Sequence, residues 1–440
     1  MSLLRSTYSN NIYTIYTAAL LVAGAGLGTP ALAQTITNPA SENLRATINA
    51  ALDHAPALAE ARADESAARA KLAGAKAERN PKLAVDGYAG VGRIDNGGFF
   101  GFGSAHTTPY AINATGEMPL YTGGRTSAGI EQASGGVRLA RLQSAQRRLT
   151  VVVEAVATYT EVLSARQLVA QYQKLTQELS EVERQSELRF KSGEIPNSDL
   201  ATVHARKAEG DAGLADAEGR LTSAEAHYQQ LTGTAAGNLG TVPAPPATPV
   251  SLGEALEAAR RTNPILKQAD VTVDVARSGV HAAKADRLPT VGAFAQAGRD
   301  YDEFFPGYHA NTVMVGVRGH WALWSGGRVS SKEDAANAEV SAAQARADAA
   351  RREIESAVID AWSAYQTAKA VLNASSARTQ AASEALRSAQ LEAKVGSIST
   401  LTLLDAEREL IQAEASEIDA QGHRLVAAWR LNALSGNILF

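Results

Sequence analysis

The chain has 440 residues, no cysteine, 5% aromatic residues and a net charge of −4. This excludes disulfides, thiolate metal sites, cysteine nucleophiles and a lipidated N-terminal cysteine, and it offers no basic face for nucleic acid. Hydrophobic residues make up 45% of the chain, but many are alanine, which favours closely packed helices over a thick core of bulky side chains.

Residues 1–33 read as a secretory signal peptide. Arg5 is the only charge, an apolar run follows from roughly Ile15 to Leu27, and Ala31-Leu32-Ala33 before Gln34 fits the small-x-small cleavage rule. No later stretch has the ~18 consecutive apolar residues of a membrane-spanning helix. An exported chain of this kind either stays soluble or crosses an outer membrane as a barrel.

From residue 34 onward the sequence is duplicated. Leu120-Tyr121-Thr122-Gly123-Gly124-Arg125 recurs as Leu323-Trp324-Ser325-Gly326-Gly327-Arg328, and the same offset maps Gly193 onto Gly396 and Tyr159 onto Trp362. The first repeat covers 34–240, a proline-rich linker 241–250, and the second repeat 251–440. In chain order the first repeat predicts a helix over about 41–79 ended by Pro81. Strand-like stretches follow at 82–93 and 109–120, around a Gly-Phe-rich loop at 97–103. Next come a very long helix at 126–191, a break at Gly193 and a last helix at 198–232. The second repeat predicts a helix at 251–287, strands at 290–300 and 312–324, a long helix at 329–394, a break at Gly396 and a helix at 400–435. Val313, Val315 and Val317 alternate with Met314, Gly316 and Arg318, the period of a strand.

A helix of about 66 residues is roughly 100 Å long, far beyond globular helices. Ile354, Val358, Ala361, Tyr365, Ala368 and Leu372 follow alternating spacings of four and three, and Leu142, Leu149, Val156 and Leu163 recur every seven residues. Both patterns argue for coiled-coil packing. The first and last helices of each repeat, stacked end to end, match the long helix in length, so each chain carries two tall hairpins. The strand regions, about 82–120 and 290–324, supply four strands. Four strands cannot close a barrel, and an open edge cannot face lipid. Three copies give about twelve strands, a size found among outer-membrane barrels. Tyr110, Tyr121, Trp321 and Trp324 at the strand ends suit interfacial girdles.

This duplicated helix–strand–strand–helix plan resembles the TolC family of outer-membrane channel proteins. The Leu-x-x-Gly-Gly-Arg junctions and the stretch around Gly396, Leu401, Leu404, Asp405 and Ala406 carry the resemblance. It implies an α+β membrane protein, with a helical coiled-coil tunnel in the periplasm and a trimeric 12-stranded barrel in the outer membrane. It also implies an exit duct of a tripartite efflux pump or type I secretion system. The implied partners are a homotrimer, a periplasmic adaptor, an inner-membrane pump of ABC, RND or MFS type, and outer-membrane lipids. The alternative is a periplasmic adaptor bridging the two membranes. An adaptor usually has one hairpin between compact β domains, whereas this chain has two hairpins and little sequence left for such domains.

The tips at Gly193 and Gly396 become the periplasmic entrance under this resemblance. The positions of the family's entrance carboxylates are Thr402 and Asp405, so one carboxylate ring is kept and the other becomes a hydroxyl. Ser198 and Asp199 match a hydroxyl–aspartate pair that latches the closed state, but its tyrosine and arginine partners are replaced by Ala393 and Ile398. A plainer reading of Ser198 or Asn197 is a cap on the helix that follows. The plainer reading of Asp405 is a solvated carboxylate favoured near a helix N-terminus. The pairs Gly123-Gly124 and Gly326-Gly327 let strand bend into helix, and the arginines after them, Arg125 and Arg328, face headgroups or cap carbonyls. The aromatics of 97–103 and 301–306 belong to outer loops. The eight histidines are scattered singly, without metal-binding spacing, and neither a nucleophile elbow nor a P-loop occurs. No catalytic residue, metal or cofactor is expected.

Overall fold

The computed structural model describes residues 39–95, 97, 103–395 and 397–436. The expected signal peptide (1–33), the second tip glycine Gly396, residues 98–102 of the aromatic loop and the terminal Phe440 lie outside the described residues.

The first repeat runs α1 (Pro39–His54), α2 (Pro56–Ala77), β1 (Lys82–Ala89), β2 (Gly92–Ile94), β3 (Ala105–Thr107), β4 (Tyr110–Tyr121), α3 (Arg125–Lys191) and α4 (Asn197–Thr232). The second runs α5 (Leu252–Thr262), α6 (Pro264–Ala285), β5 (Thr290–Tyr301), β6 (His309–His320), α7 (Arg328–Lys394) and α8 (Thr400–Ser435). The continuous helices expected over 41–79 and 251–287 are each broken once, before Pro56 and before Pro264. Proline lacks the amide hydrogen and pushes its predecessor out of the helical region. Ala55 has ψ 119° and Asn263 ψ 125°. The expected strand at 82–93 is also split. β1 ends at Ala89, and β2 pairs with β3 in a separate two-stranded sheet. β6 ends at His320, so Trp321 and Trp324 lie beyond it.

The main sheet is antiparallel with order β1-β4-β5-β6, leaving β1 and β6 as open edges. α1 and α2 lie along α3 beside α4, and α5 and α6 lie along α7 beside α8; α3 also meets α6 and α8, which joins the repeats. The predicted seams are buried at Ile354, Val358, Ala361, Tyr365 and Leu372 on α7 and at Val156 and Leu163 on α3, whereas Leu142 and Leu149, nearer the sheet, are only half-buried. The largest core gathers around Tyr159, with Ile48, Leu58, Val152, Val156 and Leu425.

Between Thr232 and Leu252 the chain forms neither helix nor strand and crosses the helices as a strap. Its carbonyls are held by side chains. The Tyr159 hydroxyl donates to Leu239, the Arg166 guanidinium to Ala236 and Gly237 at 2.6 and 2.5 Å, and Asn432 Nδ2 to Ala247 at 2.8 Å. An extended segment pressed against helices must satisfy its backbone this way.

At the sheet end of the helices, Asp286 accepts from Arg125 at 2.8 Å and from Lys332 at 2.6 Å, bridging the starts of α3 and α7. The Lys332 hydrogen bond, aided by Arg125 and Arg328, holds its carboxyl below the usual range. Arg125 is thus committed to a protein carboxylate, not to a headgroup or carbonyl.

All four junction glycines have positive φ: 62° and 89° at Gly123 and Gly124, 59° and 86° at Gly326 and Gly327. A side chain in this left-handed region is strained. Gly123 carries a second constraint, since a Cβ there would lie 2.8 Å from Leu288 Cβ and 2.9 Å from the Ala285 carbonyl, whereas Gly326 has open space. Gly326→Ala should therefore cost about 1–2 kcal/mol and Gly123→Ala clearly more. Comparing the two variants' thermal midpoints in detergent checks this. Equal midpoints would show that the α6–β5 corner yields freely.

Candidate functional site

The hairpin tips are built by matched helix ends. At the first, Gly193 sits at φ 79°, with Glu194 N donating to Arg189 O and Gly193 N to Phe190 O. This left-handed stop satisfies the last carbonyls of α3. At the second, Ser397 N donates to Glu392 O in the corresponding bond. α8 is then capped by Ser399, whose Oγ accepts from Thr402 N at 3.2 Å and lies 3.0 Å from Thr402 Oγ1. Thr402 is thus part of the capping turn. α4 starts differently. Its N-cap is Pro196, without a side-chain cap, so neither Asn197 nor Ser198 serves as the cap expected of them. Ser198 Oγ donates to Asp199 Oδ1 at 3.3 Å, and Asp199 lies in the first turn of α4, where negative charge is favoured. Among the described residues, the side-chain hydrogen bonds of Ser198 and Asp199 stay within the first tip.

Asp405 does reach across. Its side chain is 63% exposed, yet Oδ1 accepts from Arg206 of α4 at 3.1 Å. Three residues on, Arg408 pairs with Glu209 at 3.3 Å, and Glu209 also accepts from Arg206 at 2.9 Å. Four charges therefore join α4 of the first hairpin to α8 of the second. Sequence reading missed Arg206, Glu209 and Arg408, because a pair 199 residues apart has no local signature. Beside this network Leu179, Val203 and Leu404 form a small apolar cluster between α3, α4 and α8.

The same turn of α8 brings a further surprise. Glu407 is only 9% exposed, and its Oε2 has no hydrogen-bond partner among the described residues. Burial, reinforced by Glu178 and opposed by Lys174, pushes its carboxyl up to about 7. A heptad in the sequence announces this position. Leu404, Ile411, Ile418 and Leu425 recur every seven residues, and Glu407 and Glu414 stand at the intervening core positions.

The sheet has two chemically distinct faces. Register puts Leu83 and Val85 of β1 beside Ala114 and Gly116 of β4, then Ala295 and Ala297 of β5, then Val313 and Val315 of β6. Val313 and Val315 are 83% and 79% exposed. The opposite face carries Lys82, Asp86, Asn113, Thr115, Glu117, Gln296, Asp300 and Arg318. Arg318 stacks over Phe294 at 4.8 Å and lies 3.7 Å from Glu117. Aromatics bound the apolar face. Tyr110 stacks on Tyr301 at 5.1 Å at one end. At the other, a register shift after Pro119 sets Tyr121 opposite Val291, and Trp321 and Trp324, beyond the end of β6, are exposed. The loop aromatics Phe304 and Phe305 pack on Tyr308. Among the described residues no group of three or more histidine or acidic side chains is placed to hold a metal ion.

The family model described as "Outer membrane efflux protein" matches residues 47–234 and 255–437. Outer membrane efflux protein BepC of Brucella suis is 26% identical over 433 residues, covering 96% of this chain and 90% of that protein. The CmeC outer membrane channel of Campylobacter jejuni superposes with a TM-score of 0.79 at 13% identity, covering 95% of this chain and 94% of that one. The open state of the MtrE outer membrane channel of Neisseria gonorrhoeae gives 0.72 at 19% identity, covering 90% and 89%.

Proposed function

Because the chain belongs to the outer membrane efflux protein family, and so is a passive exit duct in the outer membrane and not an enzyme, we propose how that duct is assembled and shut. Three copies share one barrel of twelve strands, β1 of one pairing with β6 of the next. The observation that carries this is the sheet itself, with two open edges and one exposed apolar face bounded by aromatics. Such a face needs lipid around it, and such edges need partners. The adaptor alternative gains no support from the comparisons. The polar face, with Glu117, Gln296 and Arg318, lines the water-filled lumen. The tunnel reaches into the periplasm, where the tips dock through an adaptor to an inner-membrane pump of ABC, RND or MFS type. Export of proteins by a type I secretion system uses the same path.

Asp405, with Thr402 one turn nearer the tip, lies at the entrance. The family's latch residues are missing at Ala393 and Ile398. We assign their task to the Arg206–Asp405 and Glu209–Arg408 pairs, which tie one hairpin to the other. Each exposed pair is weak, but three protomers acting together multiply the effect.

Planar-bilayer recording of the purified protein tests this. Small, discrete, cation-selective steps are expected. Arg206→Ala should raise open probability roughly 3- to 100-fold, as weak ties are lost in three copies, and should increase cation selectivity by freeing three carboxylates. Asp405→Ala should also loosen the entrance but reduce cation selectivity. If both variants kept the parent's reversal potential in a salt gradient, Asp405 would not be at the constriction.

A further inference from the structure

The α3–α8 seam carries its apolar heptad only at alternate core positions. Leu404, Ile411 and Ile418 are separated by Glu407 and Glu414, and a carboxylate at such a position opposes packing when ionised and permits it when neutral. Glu407 is the more buried of the two, and its Oε2 meets no donor among the described residues. We propose that proton uptake by Glu407, one proton per protomer taken from the periplasm, closes the α3–α8 seam and biases the tunnel entrance towards the shut state. This rests on the assignment of the tips as the entrance, and it adds a chemical input to that gate.

The groups around Glu407 support the assignment. From α3, Glu178 repels the ionised form and Lys174 favours it; these two are themselves 3.9 Å apart. From α4, Arg206 and Glu209 are engaged with Asp405 and Arg408. From α7, Arg378 is engaged with Glu409 at 2.8 Å. On α8 itself Glu414, one seam position on, is also raised by burial, with Lys174 opposing and Glu417 adding. The cations named on α4 and α7 are thus already paired with other carboxylates, and the exposed Lys174 of α3 compensates Glu407 only in part, beside Glu178. Proton uptake completes the neutralisation.

The direction of the pH effect follows from the raised carboxyl. In the closed seam Glu407 titrates at about 7, against 4.5 for a solvated glutamate. The closed seam binds the extra proton between these values, so its stability is complete below pH ~4.5 and is lost as pH rises through about 7. Association with neighbouring copies can bury Glu407 further but cannot expose it.

Because the chain has no cysteine, one nitroxide can be attached specifically. Gln412→Cys places it at the rim of the small cavity between α3, α4 and α8. In the full-length trimer in detergent the label should become immobilised as pH falls from 8 to 4.5, with a midpoint between about 4.5 and 7. Adding Glu407→Gln should leave it immobilised throughout. Should that variant not assemble, Glu178→Gln and Lys174→Met, both at partly exposed positions, serve instead. The first should move the midpoint down and the second up. Identical profiles for the parent and Glu407→Gln, or midpoints unmoved by the other two, would overturn the proposal. Label mobility needs no ion flow, so it also separates failure of the seam from failure of the entrance assignment. If mobility titrates as expected while conductance ignores pH, the seam is real and the tips are not the gate.

Discussion

Val315→Arg should abolish recovery of heat-stable trimers from outer membrane, whereas Met314→Arg, one residue away, should leave them intact. Both residues lie at the middle of β6 (His309–His320), but on opposite faces. Val315 shares its face with Ala295, Gly116 and Leu83, and this is the face assigned to lipid. An arginine on the lipid face at the bilayer midplane costs about 2–4 kcal/mol, and a threefold assembly carries it three times. Met314 shares its face with Gln296 and Thr115, where an added guanidinium stays in water. Semi-native electrophoresis of outer-membrane extracts reads the outcome. Loss of the trimer in both variants would mean that the edge strand tolerates no bulk. Loss in Met314→Arg alone would invert the barrel.

Tyr159→Ala should lower the stability of the helical region by about 3–5 kcal/mol, the range for removing a large buried aromatic side chain. Tyr159 is fully buried in the largest core, and burial, with Tyr228 nearby, raises its phenol to about 12. Its hydroxyl therefore stays protonated and keeps donating to Leu239. Tyr159→Phe retains the packing and leaves one carbonyl unpaired, a smaller cost of about 1–3 kcal/mol. Urea unfolding followed by helical circular dichroism distinguishes them. If Tyr159→Phe proved as damaging as Tyr159→Ala, the strap and not the core would dominate at this level.

The long elements were legible because the sequence states them twice. Helices expected at 126–191 and 329–394 occur at Arg125–Lys191 and Arg328–Lys394, since glycine pairs, tip glycines and repeat spacing mark the same borders in both halves. β6 was legible from its alternating valines. β4 was less so, because the shift near Pro119 breaks the alternation and returns Tyr121 to the apolar face. The helix breaks at Ala55-Pro56 and Asn263-Pro264 depart from the continuous helices expected, although a proline stands at the matching place in both repeats. The tip network was out of reach of local reasoning. Arg206 and Asp405 meet only because two hairpins pack side by side, and nothing near either residue records the other. Glu407 is intermediate, hidden in a heptad that was there to be counted.

The strap that crosses the helices near Tyr159 divides α3 into two arms. Tyr159 lies 34 residues from Arg125 and 32 from Lys191, so each arm is about 50 Å long. The upper arm ends in the sheet, and the barrel proposed above would fix it. The lower arm would then be the one left to swing, with the strap as its fulcrum. A swing of about 5° there carries the tip through about 4 Å, given a 50 Å arm at 1.5 Å per residue, a distance comparable to the span of the salt bridges between the hairpins. Small rearrangements in the strap would thus be read out near the hairpin tips as the making or breaking of those bridges. The connector between the repeats would in this sense be a mechanical component, well removed from both the sheet and the hairpin tips.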